Sequence, residues 1–147
     1  MNTQHHYQVK VEWKKDRVGV ASSDVLPTTI EVATPPEFAK GIAGIWSPEH
    51  FLVAAANSCL MTTFLAIAEN SKLDFISFES NGIGILDKQD GKYMIVEIIL
   101  HPTVVVVNQE QVEKAIRLLE KSEAACLISN SLKSKIVLQP KVVVQHK

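Results

Sequence analysis

The 147-residue sequence contains two cysteines, two arginines and 6% aromatic residues, and its acidic and basic side chains nearly cancel to a formal charge of −1. Each scarcity excludes something. No stretch gathers Lys and Arg with interleaved aromatics, as a surface that tracks a phosphate backbone would, so nucleic acid is not an expected partner. His5, His6, His50, His101 and His146 show no ligand spacing with each other or with the cysteines, and neither a metal nor a bound cofactor is expected. No phosphate-binding glycine loop and no nucleophile-elbow motif is present. The amino-terminal MNTQHHYQVKVEW has neither the apolar core of a signal peptide nor the Arg-rich face of a transit peptide. The longest apolar stretch, Phe51 to Ala68, is interrupted by Asn57, Ser58, Thr62 and Thr63, which argues for a buried core helix and against a membrane span. A cytoplasmic chain is the expectation.

What the sequence does have is a globular balance, 46% hydrophobic against 21% charged residues. Its length suits a single domain over residues 1–147, and a chain of this size buries roughly two thirds of its unfolded surface on folding. In a reducing compartment the two cysteines are free thiols or a redox pair and not a permanent bridge.

The hydrophobic pattern predicts both strands and helices. Tyr7, Val9, Val11 and Trp13 alternate with polar residues as in a half-buried strand. A charged turn over Lys14 to Arg17 leads to a second strand from Val18, and a β-branched third runs from Thr28 to Ala33, stopping at Pro35-Pro36. After a loop with Gly41 and Gly44, Ser47-Pro48-Glu49 forms a helix start: Ser47 as N-cap, Pro48 at the first helical position, Glu49 at the positive end of the dipole. The helix extends to about Lys72 and is apolar or small nearly all round, as in a helix buried on most sides. Phe75 to Leu86 and Tyr93 to Val107 read as a long hairpin around the Asp90-Gly91 turn, with Gly82 and Gly84 marking a bulge or a close backbone approach. From Gln109 a helix presents Val112, Ala115, Ile116, Leu119 and Cys126 on its buried face, and Lys135 to Gln145 closes the chain as a strand or strand pair broken at Pro140.

Chemistry centres on Cys59. A thiol enzyme needs thiolate near neutral pH, and a mid-helix cysteine lacks the help of a helix amino terminus. An arginine or lysine brought close by the fold would lower its pKa. Arg17, in a turn and free to reach, is the candidate, since Arg117 falls among the polar residues of the later helix. Glu49 is suited to hold the guanidinium through a bidentate pair. Glu49 and Cys59 stand ten positions apart, which a straight helix converts to roughly 15 Å. The expectation is therefore that each site takes Cys59 and Cys126 from one subunit and Arg17 and Glu49 from a dimer partner. Each residue also has a plain reading: buried cysteines often act as small hydrophobes, an arginine in a turn is commonly a solvated charge, and the dipole alone accounts for Glu49. Trp46 and Phe51 read as core aromatics before pocket lining.

The segments TPPEF, GIAGIWSPEHFLVAAANSCLMTTFLAIAE and CLISNSLK together resemble the OsmC/Ohr family of hydroperoxide reductases, and the resemblance spans nearly the whole chain. It implies an intertwined α+β homodimer, with antiparallel sheets around central cysteine-bearing helices and active sites at the subunit interface. It also implies that Cys59 is the peroxidatic cysteine, Cys126 the resolving cysteine, and Glu49 and Arg17 the family's glutamate and arginine. The implied substrate is an organic hydroperoxide, and the implied reductant a lipoylated protein or small dithiol. Two features depart from the family pattern: Leu127 follows Cys126 where many members carry proline, and Arg17 stands about one position from the usual place of the arginine. Two other functions compete, a non-catalytic dimeric small-molecule binding protein of the same fold and an acyl-thioester hydrolase in which Glu49 activates water.

Overall fold

The computed structural model describes residues 3–146. By its internal contacts the chain divides into two compact units, Met1–Phe51 and Leu52–Lys147. In the first, β1 (Lys10–Lys15), β2 (Val18–Ser23) and β3 (Leu26–Ala33) form an antiparallel meander in the order β1-β2-β3. The β1–β2 turn places Asp16 at φ 50, and the Trp13 indole N–H donates to the Asp16 carbonyl at 3.1 Å. Regular pairing begins at Lys10, three residues later than the alternation predicts. Upstream of it, the Gln8 side chain accepts hydrogen bonds from Ser23 Oγ at 3.2 Å and the Asp24 N–H at 3.0 Å. The apolar row of the first strand is uncovered within the chain: Val9, Val11 and Trp13 are 67%, 65% and 74% exposed. Alternation marks an apolar face correctly but is silent on what covers it.

The loop after β3 returns alongside it, with the Ala33 N–H donating to the Trp46 carbonyl at 2.8 Å. Ser47 then caps α1 (Pro48–Asn70) as its sequence indicates, its Oγ accepting the His50 N–H at 3.2 Å. At the far end Lys72 adopts φ 55, and the N–H groups of Lys72 and Leu73 return to the carbonyls of Glu69 and Ala68 at 3.1 and 2.9 Å. This is a Schellman closure, with lysine in the position glycine most often takes.

In the second unit α1 lies on a four-stranded sheet built from β4 (Phe75–Gln89), β5 (Lys92–Val106), β6 (Lys135–Leu138) and β7 (Lys141–Val144). β4 and β5 form the long hairpin, and its turn residues Asp90 and Gly91 both take positive φ, 53 and 78, as a tight I′-type connection requires. A Cβ at Gly82 or Gly84 would lie 2.9 or 2.6 Å from the methyls of Val53 on α1, so the two glycines mark a close approach of strand to helix. The antiparallel expectation holds for β1–β3 and β4–β5 but not for the last strands: β6 and β7 both run parallel to β5, pairing with successive stretches of it, Glu97–Leu100 and Thr103–Val106. The chain reaches them through a crossover, a 3-10 turn (Gln109–Gln111), α2 (Val112–Ala125) and α3 (Leu127–Asn130), and a crossover delivers a strand parallel to the one it left.

Ala56, Leu60, Phe64 and Ala68, one stripe of α1, are fully buried. Phe64 stacks on Phe78 at 5.3 Å and meets Phe75 edge-on at 5.4 Å, in a cluster with Val104, Val106, Ala115 and Leu119. The opposite stripe, Ser58, Met61, Thr62, Leu65 and Glu69, is exposed, so within one chain α1 is buried on one side and not on most sides. Uniform apolarity shows that a helix is destined for an interior without showing whose interior it is. By length and composition alone α1 would also suffice to cross a membrane, and one stripe of it packs against the sheet.

Candidate active site

Cys59 projects from the middle of α1, half-buried, and one helical turn later Thr63 Oγ1 lies 3.8 Å from its sulfur. Cys126 sits where α2 ends. The expected place on the buried face of a continuing helix is corrected in one respect: helical geometry stops at Ala125, and Cys126 turns extended, with φ −67 and ψ 113, before α3 begins. Its N–H closes α2 onto the Glu123 carbonyl at 3.1 Å, and its own carbonyl accepts the Asn130 N–H at 3.0 Å. Its side chain is fully buried, as the sequence indicates.

The break gives Cys59 its environment. The Cys126 thiol and the first free N–H groups of α3, those of Leu127 and Ile128, converge on the Cys59 sulfur. Burial alone would raise the Cys59 pKa. Hydrogen bonds from the Cys126 thiol, the Ile128 N–H, the Thr63 hydroxyl and the Leu127 N–H outweigh it and hold the thiol below its ordinary value. Cys126 moves the other way: burial and its donation to Cys59 push it up, against lesser contacts from Ser129, with the charge on Cys59 adding the smallest effect. The two identical side chains are thus pushed in opposite directions, the half-exposed Cys59 thiol toward ionisation and the buried Cys126 thiol away from it. Both cysteines are free.

Among the described residues the one ion pair is Lys14–Glu12 at 3.0 Å, so Arg17 and Glu49 are not joined to each other within the chain. Arg17 is exposed in the β1–β2 turn, on the wall of an apolar groove of about 650 Å³ that includes Val11, Trp13, Pro48 and Phe51. Glu49 occupies the first turn of α1, half-buried. Trp46 stacks on Phe51 at 5.7 Å, but Trp46 is 51% exposed and Phe51 lines the groove, so the pair is less enclosed than core aromatics would be. Within the second unit the structure brings Cys59 and Cys126 together. Sequence reasoning missed Thr63 and the backbone donors. Thr63, at i+4 from Cys59, was visible as a helical neighbour, whereas the N–H groups of Leu127 and Ile128 carry no side-chain signature. No group of three or more His, Cys, Asp or Glu gathers for a metal among the described residues.

A half-exposed thiol with a lowered pKa beside a buried second thiol, on a helix packed against a mixed sheet, defines a two-cysteine site on an α+β scaffold. Residues 41–141 match the family described as OsmC-like protein, and the chain belongs to that family. Over 140 residues it is 30% identical to the uncharacterised protein YmaD of Bacillus subtilis (strain 168), covering 92% of this chain and 91% of the relative. Its fold is that of an OsmC-like protein of unknown function from Vibrio cholerae, with a TM-score of 0.85 at 23% identity over 93% of this chain and 99% of the other. It is also similar to an organic hydroperoxide resistance protein from Elizabethkingia anophelis, with a TM-score of 0.75 at 20% identity, covering 97% of this chain and 100% of that one.

Proposed function

We propose that the protein is a thiol-dependent peroxidase that reduces organic hydroperoxides to alcohols. The observation that carries this reading is the asymmetry of the two thiols: the accessible Cys59 is held below the ordinary thiol pKa by a partner, Cys126, that is itself fully buried. The Cys59 thiolate attacks the distal oxygen of the hydroperoxide. The O–O bond breaks, the alkoxide takes a proton and leaves as alcohol, and Cys59 becomes a sulfenic acid. Cys126 then attacks that sulfur, water leaves, and a Cys59–Cys126 disulfide remains until an external dithiol, free or carried as a lipoyl group, reopens it. Family membership and the organic hydroperoxide resistance proteins that share the fold support the substrate class.

The working form in this reading is a homodimer in which Arg17 and Glu49 of one subunit complete the site of the other. The uncovered apolar row of Val9, Val11 and Trp13 and the exposed stripe of α1 supply surface for such an interface. The apolar groove beside Arg17 suits the organic part of a hydroperoxide. Turnover of cumene hydroperoxide with dihydrolipoamide as reductant tests the proposal. Wild type should turn over and Cys59→Ser should not. A native protein that consumes no hydroperoxide would overturn the proposal and favour a small-molecule binding role, and cysteine-independent cleavage of acyl thioesters would favour the hydrolase.

A further inference from the structure

A fully buried thiol that must attack has a proton to lose and no water to take it. While Cys59 is charged, that proton is shared with the Cys59 sulfur; once Cys59 has become a neutral sulfenic acid, the acceptor is gone. Cys126 also meets Ser129, a serine 8% exposed whose Oγ has no hydrogen bond of normal geometry. Beyond the serine is Glu123, one turn before Cys126 at the end of α2, whose Oε2 is likewise buried without a hydrogen bond. Unpaired polar atoms inside a folded protein call for a reason; of these two, Ser129 adjoins the resolving thiol and Glu123 adjoins Ser129. The Ser129 hydroxyl lies close enough to both neighbours to favour the charged form of each, the Glu123 carboxylate and the Cys126 thiolate.

Glu123 also reaches the outside. It forms part of the wall of an open cleft of about 500 Å³ shared with Glu120, Ala124, Leu138 and Pro140. Burial raises its carboxyl above the usual range, against a smaller opposing effect of Ser129, bringing it toward the thiol it would serve. The ionisable groups around it are Cys126 and Cys59 behind Ser129 and Glu120 on the cleft wall; Leu138 and Pro140, on the strand side, carry no charge.

We propose that Glu123, acting through the Ser129 hydroxyl, takes the proton of Cys126 as that thiol attacks oxidised Cys59 and returns it when the disulfide is reduced. The relay rests on the two-thiol cycle above. In the forward step the Cys126 S–H proton passes to Ser129 as the serine passes its own to Glu123. The S–S bond forms as the S–O bond of the sulfenic acid breaks, the hydroxide leaves as water with a solvent proton, and Glu123 releases its proton into the cleft. During reduction the attacking dithiol supplies the electron pair, and the Cys126 thiolate is reprotonated by the same route. Glu123 is on this account a positioning residue for a proton, distinct from the thiols that react.

The test follows each step separately after one equivalent of cumene hydroperoxide, with dimedone to trap sulfenic acid, in wild type, Glu123→Gln and Ser129→Ala with matched near-ultraviolet circular dichroism. In both variants the sulfenic acid should persist and disulfide closure should slow by roughly 100-fold at neutral pH, the lower range for a lost proton-transfer group. Closure should recover at alkaline pH, where Cys126 ionises unaided, so the pH profile of that step shifts upward. Closure at the wild-type rate, or slower closure with an unshifted profile, would overturn the relay. A wild type that forms no sulfenic acid would overturn the two-thiol cycle itself, and the relay with it.

Discussion

Replacing Cys126 by alanine or by serine separates its two roles, because both remove the resolving sulfur and only alanine removes the donor to Cys59. A hydrogen bond to a charged group contributes about 1.5 to 3 kcal/mol, and the half-exposed position of Cys59 argues for discounting this to about 1 kcal/mol. At 25 °C that is about a fivefold smaller thiolate population at neutral pH. The remaining thiolate is more basic and more nucleophilic in proportion to roughly the 0.4 to 0.5 power of the change, so the net rate falls only about two- to threefold. Alkylation by iodoacetamide across a pH series measures both quantities. Cys126→Ala should move the midpoint of Cys59 reactivity upward and slow alkylation at neutral pH by that factor, whereas Cys126→Ser should stay near wild type. An unmoved midpoint in Cys126→Ala would refute the claim that the buried thiol stabilises its partner, leaving Thr63 and the backbone donors to account for the depression.

Truncating Phe64, fully buried between Phe75 and Phe78, should cost about 3 to 5 kcal/mol of stability, read as a lower denaturant midpoint in Phe64→Ala. Gly84→Ala places a Cβ against the Val53 methyl and should cost about 1 to 3 kcal/mol, with most of it recovered in the double variant with Val53→Ala. Because burial raises the folded-state pKa of Glu123, its contribution to stability is fully present below the unfolded pKa and is lost as pH rises through the folded value. Glu123→Gln should therefore match wild type at acid pH and become the more stable of the two as pH rises from the ordinary carboxylate range toward neutrality, in parallel unfolding curves.

Local signals were the most readable. The Ser47-Pro48 helix start and the Asp90-Gly91 turn each depend on a few adjacent residues whose backbone preferences point one way, and both lie where the sequence puts them. Gly82 and Gly84 were readable as a bulge or a close approach, since a missing side chain in a strand has few other uses, and the close approach is what they mark. The parallel pairing of β6 and β7 was not readable: it is set by the crossover through α2 and α3 and leaves no mark in two short β-branched runs. Nor was the break at Cys126, since Leu127 to Asn130 continues in a helix-compatible pattern with neither glycine nor proline to announce the turn. That break aims two backbone N–H groups at Cys59, so the part of the site hardest to read lowers the thiol pKa together with Cys126 and Thr63.

The most direct measurement of the central claim is a single turnover: reduced protein mixed with one equivalent of cumene hydroperoxide, free thiols followed by stopped flow, and the product mapped by peptide mass spectrometry. Two thiols per chain should be lost far faster than free cysteine reacts, with a Cys59–Cys126 disulfide as product and no fast phase in Cys59→Ser. Oxidation no faster than free cysteine, or an undiminished fast phase in Cys59→Ser, would contradict it.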